Sequence, residues 1–292
     1  MAELRVSLVI PTYQREQVLL DTIEHLREQV HASGEILIVD QTPVHEPHVD
    51  LQLREWDTAG VIRWLKLAQP SIPAAMNAGM SAARGAVVIF VDDDVIPEDG
   101  FVEAHLQAHR EHQRHIIAGR VLQPWHVAGQ APLDGLAGSE PGPVAEFIGC
   151  NFSFPRALGL EVGGFDEQFV KVAYRFEAEF ALRMRRAGAG LQFWPKASLV
   201  HLRAGSGGTR SYGNHLRTFL PAHSVGEYYF LIISRPPGWG MLALQRLRRS
   251  VLTRHHLRRP WWIPATLISE VGGLCWALKL AASGRRLLGS LT

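Results

Sequence analysis

A run of five apolar residues, Val87-Val88-Ile89-Phe90-Val91, ends on three consecutive acids, Asp92, Asp93 and Asp94, before Val95-Ile96-Pro97 opens a new segment. A short β-branched run bounded by breakers reads as a buried parallel strand. Three like charges at one strand end repel one another unless a cation sits among them, and hard divalent cations prefer oxygen ligands. Asp is also common in caps and turns. Three acids directly after a hydrophobic strand favour a metal or phosphate site over that plainer reading.

The chain around this feature alternates strand and helix. Val6 to Ile10 reads as a strand stopped by Pro11, and Val18, Leu19, Ile23, Leu26 and Val30 recur at helical spacing, with Gly34 just beyond. Ile36 to Val39 is a second strand ending on Asp40, and Val61 to Leu65 a third. Ser71-Ile72-Pro73 looks like a helix start with proline in the first turn. That helix is expected to reach about Arg84, with Gly85 as its C-terminal cap, and a further helix to run from about Pro97 to His112. Such a β-α-β-α-β pattern implies a parallel sheet with right-handed crossovers, which binds ligands beyond its C-terminal strand ends. Pro11-Thr12-Tyr13, Asp40 and Asp92 to Asp94 all fall at such ends, so they are expected to face one crevice.

Composition narrows the function. With 292 residues, 47% hydrophobic and 20% charged, the chain can hold one large α/β domain or two smaller ones. Neither Gly-x-Gly-x-x-Gly nor a Gly-Lys-Ser/Thr phosphate loop occurs, which argues against a dinucleotide oxidoreductase or a P-loop enzyme. Cys150 and Cys275 stand far apart with no zinc or redox motif, and the N-terminal apolar run is too short for a signal peptide, so a cytoplasmic setting is expected. The simplest chemistry is a divalent cation bridging the acids to a nucleotide diphosphate and neutralising the leaving phosphate.

The stretches LVIPTYQRE, ILIVDQT, IPAAMNAGMSAARGAVVIFVDDDVIPEDGF and GCNFSFPRALGLEVGGFDE resemble family 2 glycosyltransferases over roughly residues 4 to 220. The resemblance implies an α/β GT-A fold, a Rossmann-like mixed sheet flanked by helices, over residues 1–225, followed by a helical basic and apolar extension over 226–292. It implies an inverting transferase that takes a sugar from a nucleotide-sugar donor. Pro11, Tyr13 and Asp40 match the positions that hold base and ribose, with Asp40 accepting the base's imide N–H, so a UDP- or dTDP-linked donor is favoured. Arg84 matches a basic position near the nucleotide. Asp92 and Asp94 match the ends of the Asp-x-Asp motif, the first toward ribose and metal, the last ligating Mg or Mn, with Asp93 between them in the nucleotide site. His201, ending a strand, matches a metal- or diphosphate-binding histidine.

The catalytic base departs from the pattern. The family usually has a Glu-Asp pair before Leu-x-x-Arg; aligning Phe180 to Arg183 puts Phe176 and Glu177 on that pair, so Glu177 is the expected base. Glu179 is the runner-up, about 200° around the helix by the 3.6-residue period. Gln123 to Pro143 reads as a long loop fit to cover an acceptor, Glu146 to Ser153 as a strand, and Gly163 to Glu167 as a turn. The stretch from Arg203 to Arg210 reads as a cationic loop able to close over a diphosphate. The Gln-x-x-Arg-Trp motif of processive synthases is absent, so one sugar per encounter is expected.

The last third is different. Arg246, Arg248, Arg249, Arg254, Arg258 and Arg259 precede a largely apolar stretch from Trp261 to Ala282 that Pro264, Glu270 and Lys279 interrupt. Glu270 falls mid-stretch and argues against a spanning helix; an interfacial anchor on the anionic inner face of the cell membrane reads better, with packing on protein or on another subunit of a homo-oligomer as the alternative. No nucleic-acid motif is present. Two functions stand: a metal-dependent inverting transferase acting on a glycan or lipid-linked acceptor in cell-surface polysaccharide or glycolipid synthesis, and a catalytically weak sugar-nucleotide-binding or scaffold protein, motivated by Phe176.

Overall fold

The apolar runs of the first half assemble into a nine-stranded mixed sheet among the described residues of the computed structural model, which are 5–30, 34–209 and 212–289. Its strands are β1 (Val6–Thr12), β2 (Glu35–Asp40), β3 (Arg63–Lys66), β4 (Val87–Val91), β5 (Val95–Pro97), β6 (His115–Leu122), β7 (Gly142–Pro143), β8 (Asn151–Pro155) and β9 (Gly190–His201). They order as β3-β2-β1-β4-β8-β6-β9-β5, with β7 on the flank of β9. The first four of that order are parallel; β8 runs antiparallel to both β4 and β6, and β5 antiparallel to β9.

Helices α1 (Gln17–Arg27), α2 (Pro47–Thr58), α3 (Ile72–Ala82), α4 (Phe101–Glu111), α5 (Pro124–Val127) and α6 (Arg156–Glu161) connect these strands. The strands bury both faces, as a parallel sheet covered by helices must. Leu8, Ile10, Ile38, Ile89 and Val91 meet Leu19, Ile23, Leu26, Phe101 and Leu106 of α1 and α4. On the other face Phe90 stacks on Phe152 at 5.2 Å and on Phe154 at 5.8 Å.

Several boundaries differ from the sequence reading, each for a local reason. Pro11 does not stop β1: it pairs in register with Val39, and the strand runs to Thr12. Ser71 caps α3 as expected, its side chain accepting from the Ala74 amide, but the helix ends at Ala82. Gly85 lies beyond that end, where a Cβ would come within 2.5 Å of the Ser7 amide, so glycine there lets the crossover return hard against β1. Helix α2 went unread because Pro47 opens it inside a Pro- and His-rich stretch, although Val49, Leu53 and Trp56 form its buried stripe. Val95–Pro97 pairs with β9, so α4 starts only at Phe101. The expected loop from Gln123 to Pro143 contains α5, a 3-10 turn at Gly135–Ala137 and β7. The strand expected from Glu146 begins at Asn151, and β6 was not anticipated.

The chain forms two compact units that interleave in sequence: Met1–Gly164 with Phe180–Gly208, and Phe165–Glu179 with Thr209–Thr292. The sequence reading divides the chain once, between 225 and 226, whereas these units interleave. The second unit holds α8 (Val225–Ser234), α9 (Trp239–Val251), α10 (Arg254–Arg258) and α11 (Ile263–Ala282), while α7 (Phe176–Arg186) begins in the second unit and ends in the first. Acids fill the first turn of α7 and arginines its last, matching the helix dipole. Within the second unit Asp166 is the tie point. It accepts from the Tyr229 hydroxyl at 2.7 Å and from the Arg286 amide at 3.0 Å, so it serves this turn and its anchorage.

Candidate active site

Parallel register brings three strand ends together. Thr12 pairs with Asp40, and β4 lies on the other side of β1 with Asp92, Asp93 and Asp94 just past its end. The β5–β9 ladder then sets Val95 opposite His201, which delivers the imidazole to the acids. His201 Nε2 is 3.2 Å from Asp94 Oδ1 and 3.7 Å from Asp92 Oδ2. One ligand atom from each of Asp92, Asp94 and His201 lies within 4.8 Å of the others.

Burial works against a charged Asp94, but hydrogen bonding from His201 and the Ala204 amide outweighs it and keeps the carboxyl below its usual range. His201 shows the mirror case: burial opposes its charge, while Asp94 and Asp92 raise its affinity for a proton. A proton on His201 would thus compete with a cation for the same two carboxylates. Two hard carboxylate oxygens with the His201 imidazole form a donor set that fits Mn or Mg.

The middle aspartate turns away from this triad. Asp93 is buried, and Arg15 Nε donates to its Oδ1 at 3.2 Å. Burial pushes its carboxyl up to about 7 even with the guanidinium beside it. Arg15 was not anticipated, and it organises this end of the sheet. Its Nη2 donates to Asp94 Oδ2 at 3.2 Å, and its Nη1 to the carbonyls of Ala204, at 3.1 Å, and Ser206. The 202–208 loop closes the arrangement from the other side: the Leu202 amide donates to the Asp94 carbonyl at 2.8 Å, the Ala204 amide to Asp94 Oδ2 at 2.8 Å, and the Gly208 amide to the Tyr13 carbonyl at 2.8 Å. Gly207 has φ +75° and backs onto the Gln14 carbonyl, a fit that a side chain would spoil. Arg203 leaves this loop to lie over the Trp125 ring, 5.0 Å from its centroid; Arg210, the other arginine of the stretch, lies outside the described residues.

The remaining expected residues fall in different places. Pro11 and Tyr13 are half-buried at the end of β1, beside the cluster. Asp40 is buried outright. Its carboxylate lies 3.0 Å from His45 Nε2 and accepts from the Trp64 indole at 3.0 Å and the Thr42 amide at 2.8 Å, so it does not present a bare acceptor to a base. Arg84 is a correction. It precedes β4, where its amide donates to Ser7 and Glu35 at the start of β1 and β2, and is thus at the end of the sheet opposite the aspartates. Glu177 sits half-buried in the first turn of α7. Glu179 is fully buried, 3.3 Å from Arg285 Nη2, in the second unit.

Comparison with known sequences gives a family match over the first part of the chain. Residues 7–133 match the family model for glycosyl transferase family 2. That stretch carries strands β1 to β6 and the three aspartates. The chain is 26% identical to the glycosyltransferase GlyG of Streptococcus pneumoniae over 121 residues, 41% of this chain and 39% of that protein. It is 29% identical to the uncharacterized protein y4gI of Sinorhizobium fredii over 231 residues, 70% of this chain and 25% of that protein. The chain thus spans between a quarter and two fifths of the length of these relatives. Among solved structures, the mannosyltransferase PcManGT of Pyrobaculum calidifontis, in complex with GDP-Man and Mn2+, superposes with a TM-score of 0.59 at 17% identity, covering 97% of this chain and 80% of that one. GalNAc-T7 with UDP, GalNAc and Mn2+ gives the same TM-score at 12% identity, covering 78% of this chain and 50% of that one. The fold of the chain is therefore GT-A.

What the sequence missed are the residues that hold the site rather than line it. Arg15 lies in the LVIPTYQRE stretch but was given no role, His45 and Trp64 lie in none of the four family-like stretches, and each is found only by asking which cation or donor a buried carboxylate must have. That question, put to Asp93 and Asp40, was open to sequence reading once both were placed at strand ends.

Proposed function

We propose that this chain transfers a sugar, with inversion, from a UDP- or dTDP-linked donor to a hydroxyl of a glycan or lipid-linked acceptor, in the assembly of cell-surface polysaccharide or glycolipid. The observation that carries the reading is the Asp92–Asp94–His201 triad at the C-terminal ends of the parallel strands. A divalent cation bound there would neutralise the diphosphate as the glycosyl bond breaks. Asp92, Asp94 and His201 would hold it, with the His201 proton given up on binding.

The chain's own groups divide the remaining work. Arg15 fixes Asp94 from behind and ties it to the 202–208 loop, and Arg203 would have to leave the Trp125 ring to meet a diphosphate's negative charge. Tyr13 and Pro11 would flank the nucleoside. The base preference rests on Asp40 accepting the imide N–H in place of the Trp64 indole, which now donates to Oδ2. Glu177 would take the acceptor hydroxyl's proton as its oxygen attacks the anomeric carbon and the nucleoside diphosphate leaves.

The test is turnover of UDP-, dTDP- and GDP-sugars with Mn or Mg, by wild type and Asp94→Ala. Metal-dependent release of nucleoside diphosphate, lowered at least about a hundredfold by the substitution, is expected; loss of a ligand should cost no less than the losses seen when a ligand's supporting partner is removed. Donor binding by calorimetry with no turnover in either protein would favour the second reading, a sugar-nucleotide-binding scaffold, which Phe176 in place of the family's acid motivates.

A further inference from the structure

Helix α11 is built inside out. Its buried stripe is small and polar: Ala265, Thr266, Ser269, Glu270, Gly273 and Ala277. Each polar member of that stripe has an inward partner. Thr266 Oγ1 meets His256 Nε2 at 2.9 Å, Ser269 donates to the Leu220 carbonyl at 2.8 Å, and Glu270, only 5% exposed, takes the Tyr228 hydroxyl at 2.8 Å and Arg246 Nη2 at 3.2 Å. Gly273 lets the helix press onto Ser224, the residue just before α8. The outward stripe is the greasy one: Ile268 is 56% exposed, Val271 55% and Leu278 52%, with Trp261 at 67% just before the helix. A helix of a water-soluble protein has the reverse pattern, and small and polar residues inward with Leu, Ile and Val outward is what a lipid-facing helix shows.

The neighbouring segments extend this surface. Helix α9 packs on α8 and α11 yet buries none of its own residues, and it exposes Trp239, Met241, Leu242 and Leu244. Arg248 and Arg249 in the last turn of α9, and Arg254, Arg258 and Arg259 between α9 and α11, are all exposed, while Arg246 turns inward to Glu270. Of the exposed large apolar side chains, most belong to this smaller unit. Apolar groups rimmed by arginines match the boundary between acyl chains and anionic headgroups.

We propose that this unit seats itself on an anionic phospholipid bilayer, with the outward faces of α11 and α9 in the acyl boundary and Arg248, Arg249, Arg254, Arg258 and Arg259 on the headgroup phosphates. Pro260–Ala282 is long and apolar enough to cross a membrane, and only 33% of its most apolar window is buried. A crossing pose is disfavoured by its neighbour, since α9 packs along α11 and its exposed arginines would be carried into hydrocarbon. Lying in the interface leaves the arginines wet and Glu270 paired. This proposal rests on the second unit alone and not on the proposed reaction, so either can fail without the other.

The experiment is co-flotation of the full chain with vesicles of phosphatidylcholine alone and of phosphatidylcholine mixed with phosphatidylglycerol, at low and high salt, beside light scattering without lipid. Binding is expected to the anionic vesicles, weakened by salt. Arg248→Glu/Arg249→Glu should lower affinity by at least about thirtyfold, at roughly fivefold per lost arginine near the surface. Ile268→Glu/Val271→Glu should abolish it, with circular dichroism and Mn binding showing that both variants are folded. The arginine pair is fully outside the packing, so it tests the idea even if the apolar pair fails to fold. No flotation would overturn the proposal, whether the chain is then a monomer or a self-association that Ile268→Glu/Val271→Glu breaks. Equal binding to neutral vesicles, or binding indifferent to the arginine substitutions, would overturn the headgroup assignment.

Discussion

Arg15 reaches Asp94 across 79 residues of chain and donates to its Oδ2 at 3.2 Å, while the opposite oxygen faces His201 at the same distance. One carboxylate is thereby shared between a scaffold on one side and a ligand position on the other. The guanidinium fork matters here, because the same group also neutralises Asp93 and holds two loop carbonyls.

Replacing Arg15 with methionine leaves Asp93 and Asp94 without their guanidinium donor. Asp93, already pushed up to about 7, can take a proton instead of staying charged. The cost is then that of an unpaired buried polar group, about 1–3 kcal/mol. The melting temperature at neutral pH should fall accordingly. Arg15→Lys keeps the charge but not the fork, so it should melt closer to wild type while binding Mn more weakly. If both variants match wild type in melting and in Mn affinity, the bridging role assigned to Arg15 is wrong.

The Asp40–His45 pair gives a pH signature. Burial opposes charge on both, yet the hydrogen bond between them prevails: His45 is held above its ordinary 6.5 and Asp40 below its ordinary 3.8, with Glu16 adding to the first. The folded chain therefore grips the His45 proton more tightly than the unfolded chain. That stability is complete below pH 6.5 and drains away as pH rises through the folded value. At the acid end, the Asp40 share is lost as pH falls through its lowered value. Melting temperature should decline from mildly acidic to mildly alkaline pH, and His45→Gln should flatten that slope. Parallel slopes in the two proteins would show that the pair is not the source.

The two acids of α7 should separate cleanly. Glu177→Gln is expected to lower kcat by roughly 10²–10⁴-fold, the range for a lost general base, with donor binding kept. Glu179→Gln should act on stability instead, costing about 1–3 kcal/mol by stranding charge at Arg285. Exchange of these phenotypes in paired kinetic and melting measurements would move the base to Glu179.

Gly207→Ala probes the loop. A side chain at φ +75° costs about 1–2 kcal/mol, and here it would also push on the Gln14 carbonyl. The 202–208 loop should lift from Tyr13 and Arg15, weakening nucleotide binding by roughly tenfold for each 1.4 kcal/mol of strain. Calorimetry with UDP and Mn reads this directly, and unchanged affinity would remove the loop from the nucleotide site.

The parallel half of the sheet was legible because its strands are buried on both faces and read as unbroken apolar runs, as Val87–Val91 does. That Asp40 and Asp92 to Asp94 stand at the same end of the sheet followed from strand direction alone. His201 needed the family resemblance, since a lone histidine at a strand end has many uses. Strand β6 hides because His115 and Arg120 interrupt its apolar run, and β5 because three residues are too few to carry a period. Arg84 was misplaced for a related reason: its spacing from the motif was right, but only the crossover geometry at Gly85 reveals that the chain there has returned to the far end of the sheet.

The inside-out build of the second unit also bears on how the protein can be shortened. Cutting before Pro260 to shed an oily tail would take Glu270 from Tyr228 and Arg246, and Ser269 from Ser224. It would also remove the Arg286 amide from Asp166, 120 residues upstream, and the Gly284 carbonyl from Gln168. The turn that leads into Glu177 is fastened by the last stretch of chain. A trimmed protein would expose unmatched polar groups where it was meant to become more soluble, and its candidate base would lose its footing first.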